Sequence, residues 1–260
     1  MDVRMTDWKT LFRPTVSRWV LGDLSPGEVP ERVLLPCENP DYYDDGEIMD
    51  RLEHVVRRER FILGTFAGRQ VAVAASPKFG SPSAAMVTDI LTTAGAKVVV
   101  SVGYCGVLQP GIACGDLIIA TGAVRDEGTT PHYVSLGFPA VADPAVVRAL
   151  VQAAAGMGLT YHPGIVWTTD AVLAEDDTQV SYWHNAGVVG VDMETAAILT
   201  VASLRGVQAG TILVASDNPF LKRQTDLERL RPGYRRALDA ALKGLSQLPE
   251  CLQQEKCATR

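Results

Sequence analysis

The sequence has no basic excess, no long apolar run and no cysteine pairing pattern, and each absence removes a class of function. Lys and Arg number 24 against 30 Asp and Glu, a net charge of −6. A chain that grips a phosphate backbone usually carries the opposite balance, so nucleic acid is not an expected partner. No window approaches the ~20 apolar residues of a membrane span. Nor does an apolar run follow a basic start, so neither membrane insertion nor export is expected and the cytoplasm is the default. The five cysteines, Cys37, Cys105, Cys114, Cys251 and Cys257, form an odd set without a C-x-x-C pair. With no Cys/His spacing of a zinc site, they read as reduced thiols. Internal repeats, low-complexity tracts and interdomain linkers are also missing.

What is present is a core-forming composition, 47% hydrophobic and 21% charged over 260 residues. That suits one large domain over 31–248, with an extension at 1–30 and a tail at 249–260. The extension holds Trp8, Phe12 and Trp19 among polar residues, followed by Pro26 and Pro30, and reads as a segment that packs aromatics on the domain or on a neighbouring subunit. A first strand is expected at 32–36, then an acidic loop at 37–46 and a helix at 48–58. The runs 61–66 and 70–75 flank Ala67-Gly68-Arg69 and read as an antiparallel hairpin. Gly80-Ser81-Pro82-Ser83 opens a helix to Gly95, with Ser81 as N-cap and Pro82 in the first helical position. Residues 97–103, KVVVSVG, are too uniformly apolar for a surface strand and predict a central one. Further strands are expected at 116–124, 164–169, 188–191 and 210–215, with helices at 145–157, 194–205 and 227–245. The alternation indicates a single-domain, three-layer αβα sandwich around a mixed central β-sheet.

The most informative stretch is 188–198, VVGVDMETAAI, where an apolar strand runs into Asp192-Met193-Glu194 and then a small-residue helix. Open α/β sheets bind ligands at such carboxyl ends of strands. Two carboxylates flanking a thioether offer hydroxyl acceptors and a soft apolar face, the two things a sugar needs. The same acids also suit a purely structural role, capping the positive end of the following helix. Asp217, at the end of the strand 211–215, occupies a second strand terminus of the same kind.

Taken in order, Gly80-Ser-Pro-Ser83, Val102-Gly-Tyr-Cys-Gly106, Gly115-Asp-Leu-Ile-Ile119, Phe138-Pro-Ala-Val-Ala-Asp143, Val191-Asp-Met-Glu194 and Ser216-Asp217 resemble the nucleoside phosphorylase family. That family includes uridine phosphorylase, hexameric purine nucleoside phosphorylase and methylthioadenosine nucleosidase. The resemblance covers roughly 32–245 and implies cleavage of a nucleoside N-glycosidic bond through an oxocarbenium-like transition state. It makes Glu194 the acceptor for ribose hydroxyls, Met193 the residue packed on the ribose, and Asp192 a shortened version of a common glutamate. Asp217 matches the aspartate that donates a proton to N7 of a purine, with a helix or turn cap as its structural alternative. Gly103 and Tyr104 border the ligand in this reading, Trp167 stands by the base-side wall or in the core, and His132 falls in a loop near the pocket or subunit contact. No metal or organic cofactor is implied. A homodimer or a hexamer built of dimers is.

The departures from the family pattern bear on the nucleophile. Where phosphorylases carry a strand-end arginine this chain has Ser101, and Tyr104 replaces the next serine or threonine. The first loop reads Pro36-Cys-Glu-Asn-Pro-Asp-Tyr42 instead of Pro-Gly-Asp-Pro with an arginine soon after, and a third arginine is replaced near Leu63. Guanidinium forks bind phosphate, so losing them while gaining Glu38 and Asp41 favours water as the nucleophile. One like-charge contact at about 4 Å costs on the order of 4 kcal/mol at an effective dielectric of about 20. Glu38 or Asp41 is then the candidate general base for water. Both also fit a solvated acidic loop. A phosphorylase with Lys78 or Arg125 recruited to a rebuilt phosphate site, and a nucleoside-binding protein without turnover, are the alternatives.

Overall fold

The computed structural model describes residues 8–37, 44–74, 80–218 and 227–249. Its strands are β1 (Arg32–Cys37), β2 (Glu53–Arg57), β3 (Phe61–Phe66), β4 (Arg69–Ala74), β5 (Val98–Val107), β6 (Leu117–Asp126), β7 (Ala140–Val141), β8 (Tyr161–Thr169), β9 (Gly190–Asp192) and β10 (Gln208–Asp217). The helices are α1 (Trp8–Leu21), α2 (Asp45–Met49), α3 (Ser81–Ala94), α4 (Pro144–Gly156), α5 (Asp177–Asn185), α6 (Thr195–Leu204) and α7 (Leu227–Gln247).

All strands join one mixed sheet in the order β10-β6-β8-β9-β5-β1-β4-β3-β2, with β7 beside β6 and a second pairing of β10 with β5. That second pairing closes β5, β10, β6, β8 and β9 into a ring, and Cys105, Val107, Ile118, Ala120, Val166, Leu213 and Ala215 form a cluster of their own there. The three-layer sandwich is as expected. Val99 of β5 packs with the α3 and α6 residues, while Val98, Val100 and Val102 pack with those of α4 and α7. A strand covered on both faces can be apolar at every position, which is why its sequence shows no alternation. Arg32 is buried at the start of β1, and its guanidinium donates to the carbonyls of Leu245, Leu248 and Pro249, closing the carboxyl end of α7.

Several expectations need correction. Residues 48–58 are not one helix: α2 stops at Met49 and β2 pairs antiparallel with β3. Every residue of β2 is exposed, so no burial pattern marked it; the edge of β3 supplied backbone partners that Val55 and Val56 suit. The extension contains α1, whose Val20 and Leu21, with Leu24, pack on the domain; Trp19 is 61% exposed, and the side chains of Trp8 and Phe12 lie outside the described residues, so the expected aromatic packing is neither met nor overturned within this chain. Helix α5 was not anticipated because it buries no residue; a capping box of Asp176 and Gln179 starts it. In the hairpin, Phe66 pairs with Arg69, leaving Ala67 and Gly68 as a two-residue turn with φ of 47° and 74°. Both positive values match the type I′ turn that fits strand twist, although the first position holds alanine. The N-cap of α3 is Gly80, not Ser81, whose hydroxyl is engaged elsewhere. No helix among the described residues is long and apolar enough to cross a membrane.

Candidate active site

The amino ends of α3 and α6 meet at the carboxyl edge of the sheet. Asp192, the last residue of β9, is buried and does the capping. Its Oδ1 accepts from Thr168 Oγ1 at 2.6 Å, and its Oδ2 accepts from the Thr195 amide at 2.9 Å and from the Thr195 hydroxyl. Thr168 Oγ1 in turn accepts from the Ala196 amide at 3.0 Å, so the β8 terminus is stitched to the first turn of α6. The capping alternative therefore describes Asp192 well. These hydrogen bonds make it a positioning residue for the first turn of α6 and for Glu194 just ahead of it.

Glu194 behaves differently. It precedes α6 yet makes no side-chain cap. Instead its Oε1 accepts from the Gly80 amide at 2.6 Å, across to α3, and beside it Ser81 Oγ donates to the Met193 carbonyl at 2.7 Å. Burial, then the Asp192 charge, and more weakly that of Asp170, push the Glu194 carboxyl up to about 8, against the opposing Gly80 bond. Burial also raises Asp192, but the bonds from Thr168 and Thr195 oppose it. Both carboxyls are therefore raised, and the hydrogen bonds from Thr168 and Thr195 relieve Asp192 in part.

Asp217 ends β10 beyond a register shift between Ala215 and Asp217. Bulges re-aim side chains. Here Asp217 Oδ1 accepts from Ser216 Oγ at 2.8 Å and lies 3.4 Å from where a side chain on Gly106 would begin. Ser216 Oγ also contacts the Cys105 carbonyl, anchoring the strand end. The buried Cys105 thiol is pushed well above its ordinary range by burial and by the charges of Asp192 and Asp217, which excludes it as a thiolate nucleophile.

Other candidates from the sequence are placed elsewhere. A side-chain carbon on Gly103 would stand 2.4 Å from the Cys37 carbonyl oxygen, so the close approach this glycine permits is that of β1, not of a ligand. Tyr104 stacks on Tyr234 of α7 with ring centroids 5.4 Å apart. Trp167 is fully buried among Leu108, Val188 and Val191, its indole N–H donating to Asp126, which takes it out of reach of a stacked base. His132 is exposed on a 3-10 turn, Thr130–His132, and no described contact brings it to Glu194. Glu38, Asp41 and Lys78 lie outside the described residues. Thr168, Thr195 and Gly80 were missed as positioning groups. The Thr168-Thr169 doublet ahead of Asp170 was the available signal.

The anion-binding alternatives can also be located. Ser101 is buried, its hydroxyl 2.7 Å from that of Thr211. Arg125 is spent on its own loop: it donates to Thr130 Oγ1 and to the carbonyls of Val134, Ser135 and Phe138. Among the described residues no group of three or more His, Cys, Asp or Glu is placed to hold a metal ion.

Comparison with known proteins bears on the family and the fold. The family model described as Phosphorylase superfamily matches residues 27–245. A uridine phosphorylase of Thermococcus kodakarensis is 34% identical over 208 residues, 74% of this chain and 75% of the relative. A guanosine phosphorylase of Halorubrum lacusprofundi is 30% identical, over 74% of this chain and 80% of its own. The crystal structure of uridine phosphorylase from Vibrio fischeri ES114 superposes with a TM-score of 0.77 at 29% identity, covering 86% of this chain and 95% of that one. With its sheet and these matches in agreement, the chain belongs to the nucleoside phosphorylase family.

Proposed function

We propose that the protein cleaves the N-glycosidic bond of a purine-type nucleoside and that water is the nucleophile. One observation carries the second half: the charges acting on the site carboxylates are themselves acidic. Glu194 feels Asp192 and Asp170, and no described salt bridge reaches any of the three. A phosphate dianion entering such surroundings meets repulsion, with no guanidinium fork among the described residues to offset it, whereas neutral water meets none.

In this reading Glu194 and Met193 hold the ribose while positive charge develops on the sugar. Asp217 gives its proton to the leaving base, and Glu38 or Asp41, assigned by resemblance, takes one from water. Only interactions stronger in the transition state accelerate the step, so Glu194 matters most where the hydroxyls polarise as the oxocarbenium forms.

A second reading, phosphorolysis, is favoured by the relatives, which carry phosphorylase names. Incubation of purine nucleosides with and without phosphate separates the two. Hydrolysis gives free ribose at a rate indifferent to phosphate; ribose 1-phosphate formed only with phosphate present ends the hydrolytic reading. Thermal stabilisation by nucleosides with no base released would instead identify a binding protein. By the same resemblance the assembly is a homodimer or a hexamer, and a monomeric mass by light scattering would refute it.

A further inference from the structure

The hydroxyl of Ser216 stands between two acceptors with one proton to give. Its Oγ lies 2.9 Å from the Cys105 carbonyl oxygen and 2.8 Å from Asp217 Oδ1. A serine hydroxyl donates once, so it serves one of the two at a time. A bond to an ionised carboxylate is roughly twice as strong as one to a neutral carbonyl. The charge on Asp217 therefore decides which way the hydroxyl turns: to Cys105 while the acid is protonated, to Oδ1 once it is not.

Among the described residues Ser216 is the only donor to the Asp217 carboxyl. The groups around that carboxyl give it no other support. The Cys105 thiol of β5 and the half-buried Glu175 are both acids whose ionisation the Asp217 charge opposes. At the start of β6, Asp116 is taken up by the Ala113 amide and by His162 at 2.9 Å, and on α7 Arg236 donates to the Gly115 carbonyl. The backbone of this strand end has further anchors. The Ala215 amide donates to the Asp116 carbonyl at 2.9 Å, the Ala215 carbonyl accepts from the Gly115 amide at 2.8 Å, and the buried Asn218 side chain donates to the carbonyls of Gln109 and Ile112. The hydroxyl can thus change partner without the strand end moving.

We propose that Ser216 is a positioning residue whose hydroxyl rests on the Cys105 carbonyl before the reaction and swings to Asp217 as the base departs, steadying the carboxylate that proton transfer creates. The inference rests on reading Asp217 as the general acid of a nucleoside-cleaving site. In that step the glycosidic C–N bond breaks and its electron pair passes to the base. The acid's proton moves from its other carboxyl oxygen to the base, while the serine proton stays on Oγ and changes only its acceptor. The contact is weak before transfer and strong during it, so it raises kcat and leaves KM nearly alone. This half of the reaction is the same whether water or phosphate attacks the sugar.

The test is Ser216→Ala, assayed on a purine nucleoside and on 4-nitrophenyl riboside, whose leaving group departs without a proton. On the purine nucleoside kcat is expected to fall about 10–100-fold with KM little changed, while the nitrophenyl riboside is cleaved at nearly the wild-type rate. Without its donor Asp217 keeps its proton to higher pH, so the alkaline limb of the purine kcat profile should move upward as the plateau falls. Equal losses on the two substrates, a change confined to KM, an alkaline limb that stays in place or a purine rate that does not fall overturns the proposal. If the wild type releases no purine base, the enzymatic reading fails by itself, and the carbon-13 titration of the Asp217 carboxyl, identified by its absence in Asp217→Asn, still judges the hydroxyl. A midpoint moved to higher pH in Ser216→Ala supports the swing to the carboxylate, and an unmoved midpoint refutes it.

Discussion

The backbone amide of Gly80 donates to Glu194 Oε1 at 2.6 Å, joining residues 114 positions apart. The contact fixes the glutamate at the mouth of the strand ends instead of letting it cap its own helix. Asp192 does the capping, and this division of labour explains why two acids two residues apart need different tests.

Glu194→Gln keeps an acceptor for the Gly80 amide but cannot ionise. With a folded pKa of about 8 against an ordinary 4.5, the native state binds the proton more tightly than the unfolded chain. The contribution of this group to stability therefore falls as pH rises from 4.5 towards 8 and is level above. At about 1.4 kcal/mol per unit the effect reaches the order of a few kcal/mol. Melting curves should place the variant several degrees above wild type at alkaline pH and level with it in mild acid, while cleavage slows by about tenfold or more. A wild type that melts higher in alkali would mean that burial does not burden this carboxylate.

Asp192→Asn turns one acceptor into a donor facing the Thr195 amide and hydroxyl or the Thr168 hydroxyl. A loss of about 1–3 kcal/mol is expected in denaturant titration, as for a lost cap with an unpaired buried group. Unchanged stability with lost activity would instead assign Asp192 directly to the substrate.

Asp217→Asn should lower kcat on a purine nucleoside by about 10²–10⁴-fold, the usual share of a general acid. A 4-nitrophenyl riboside, whose leaving group needs no proton, should be cleaved nearly as fast as by wild type. Equal losses on both substrates would remove Asp217 from the acid role.

Arg125→Ala frees three loop carbonyls and the Thr130 hydroxyl. The expected result is a lower melting temperature with an unaltered response to phosphate. If the variant specifically lost a phosphate-dependent rate, Arg125 would return as an anion ligand.

Gly103→Ala places a carbon 2.4 Å from the Cys37 carbonyl, within backbone that cannot yield cheaply. Overpacking of this kind costs about 1–3 kcal/mol or more, so the soluble yield and melting temperature should fall. A stable variant with weakened nucleoside binding would restore the glycine to the ligand side.

Much of the sheet was legible because the responsible signals are local. The uniform apolar run of β5, the hairpin β3–β4 and the strand-to-helix passage at 188–198 each carry their pattern within about ten residues. The elements that escaped, α5 and β2, bury nothing, so periodicity had no core to report. At the site, Glu194 and Asp217 stood out because acids at strand ends are chemically conspicuous. Thr168 and Gly80 did not, since a hydroxyl and a backbone amide that bond across elements have no local signature.

By itself the sequence determined the layer order and the family, because apolar periodicity and the ordered strand-end motifs are written along the chain. Only the tertiary structure decided that Asp192 caps α6 while Glu194 reaches across to Gly80, that Gly103 serves β1, that Trp167 is core and that Arg125 is spent on its loop. Those outcomes depend on which groups meet across the closed ring of strands, and competition for a hydrogen-bond partner or for a few cubic ångströms of space is settled between residues far apart in the chain.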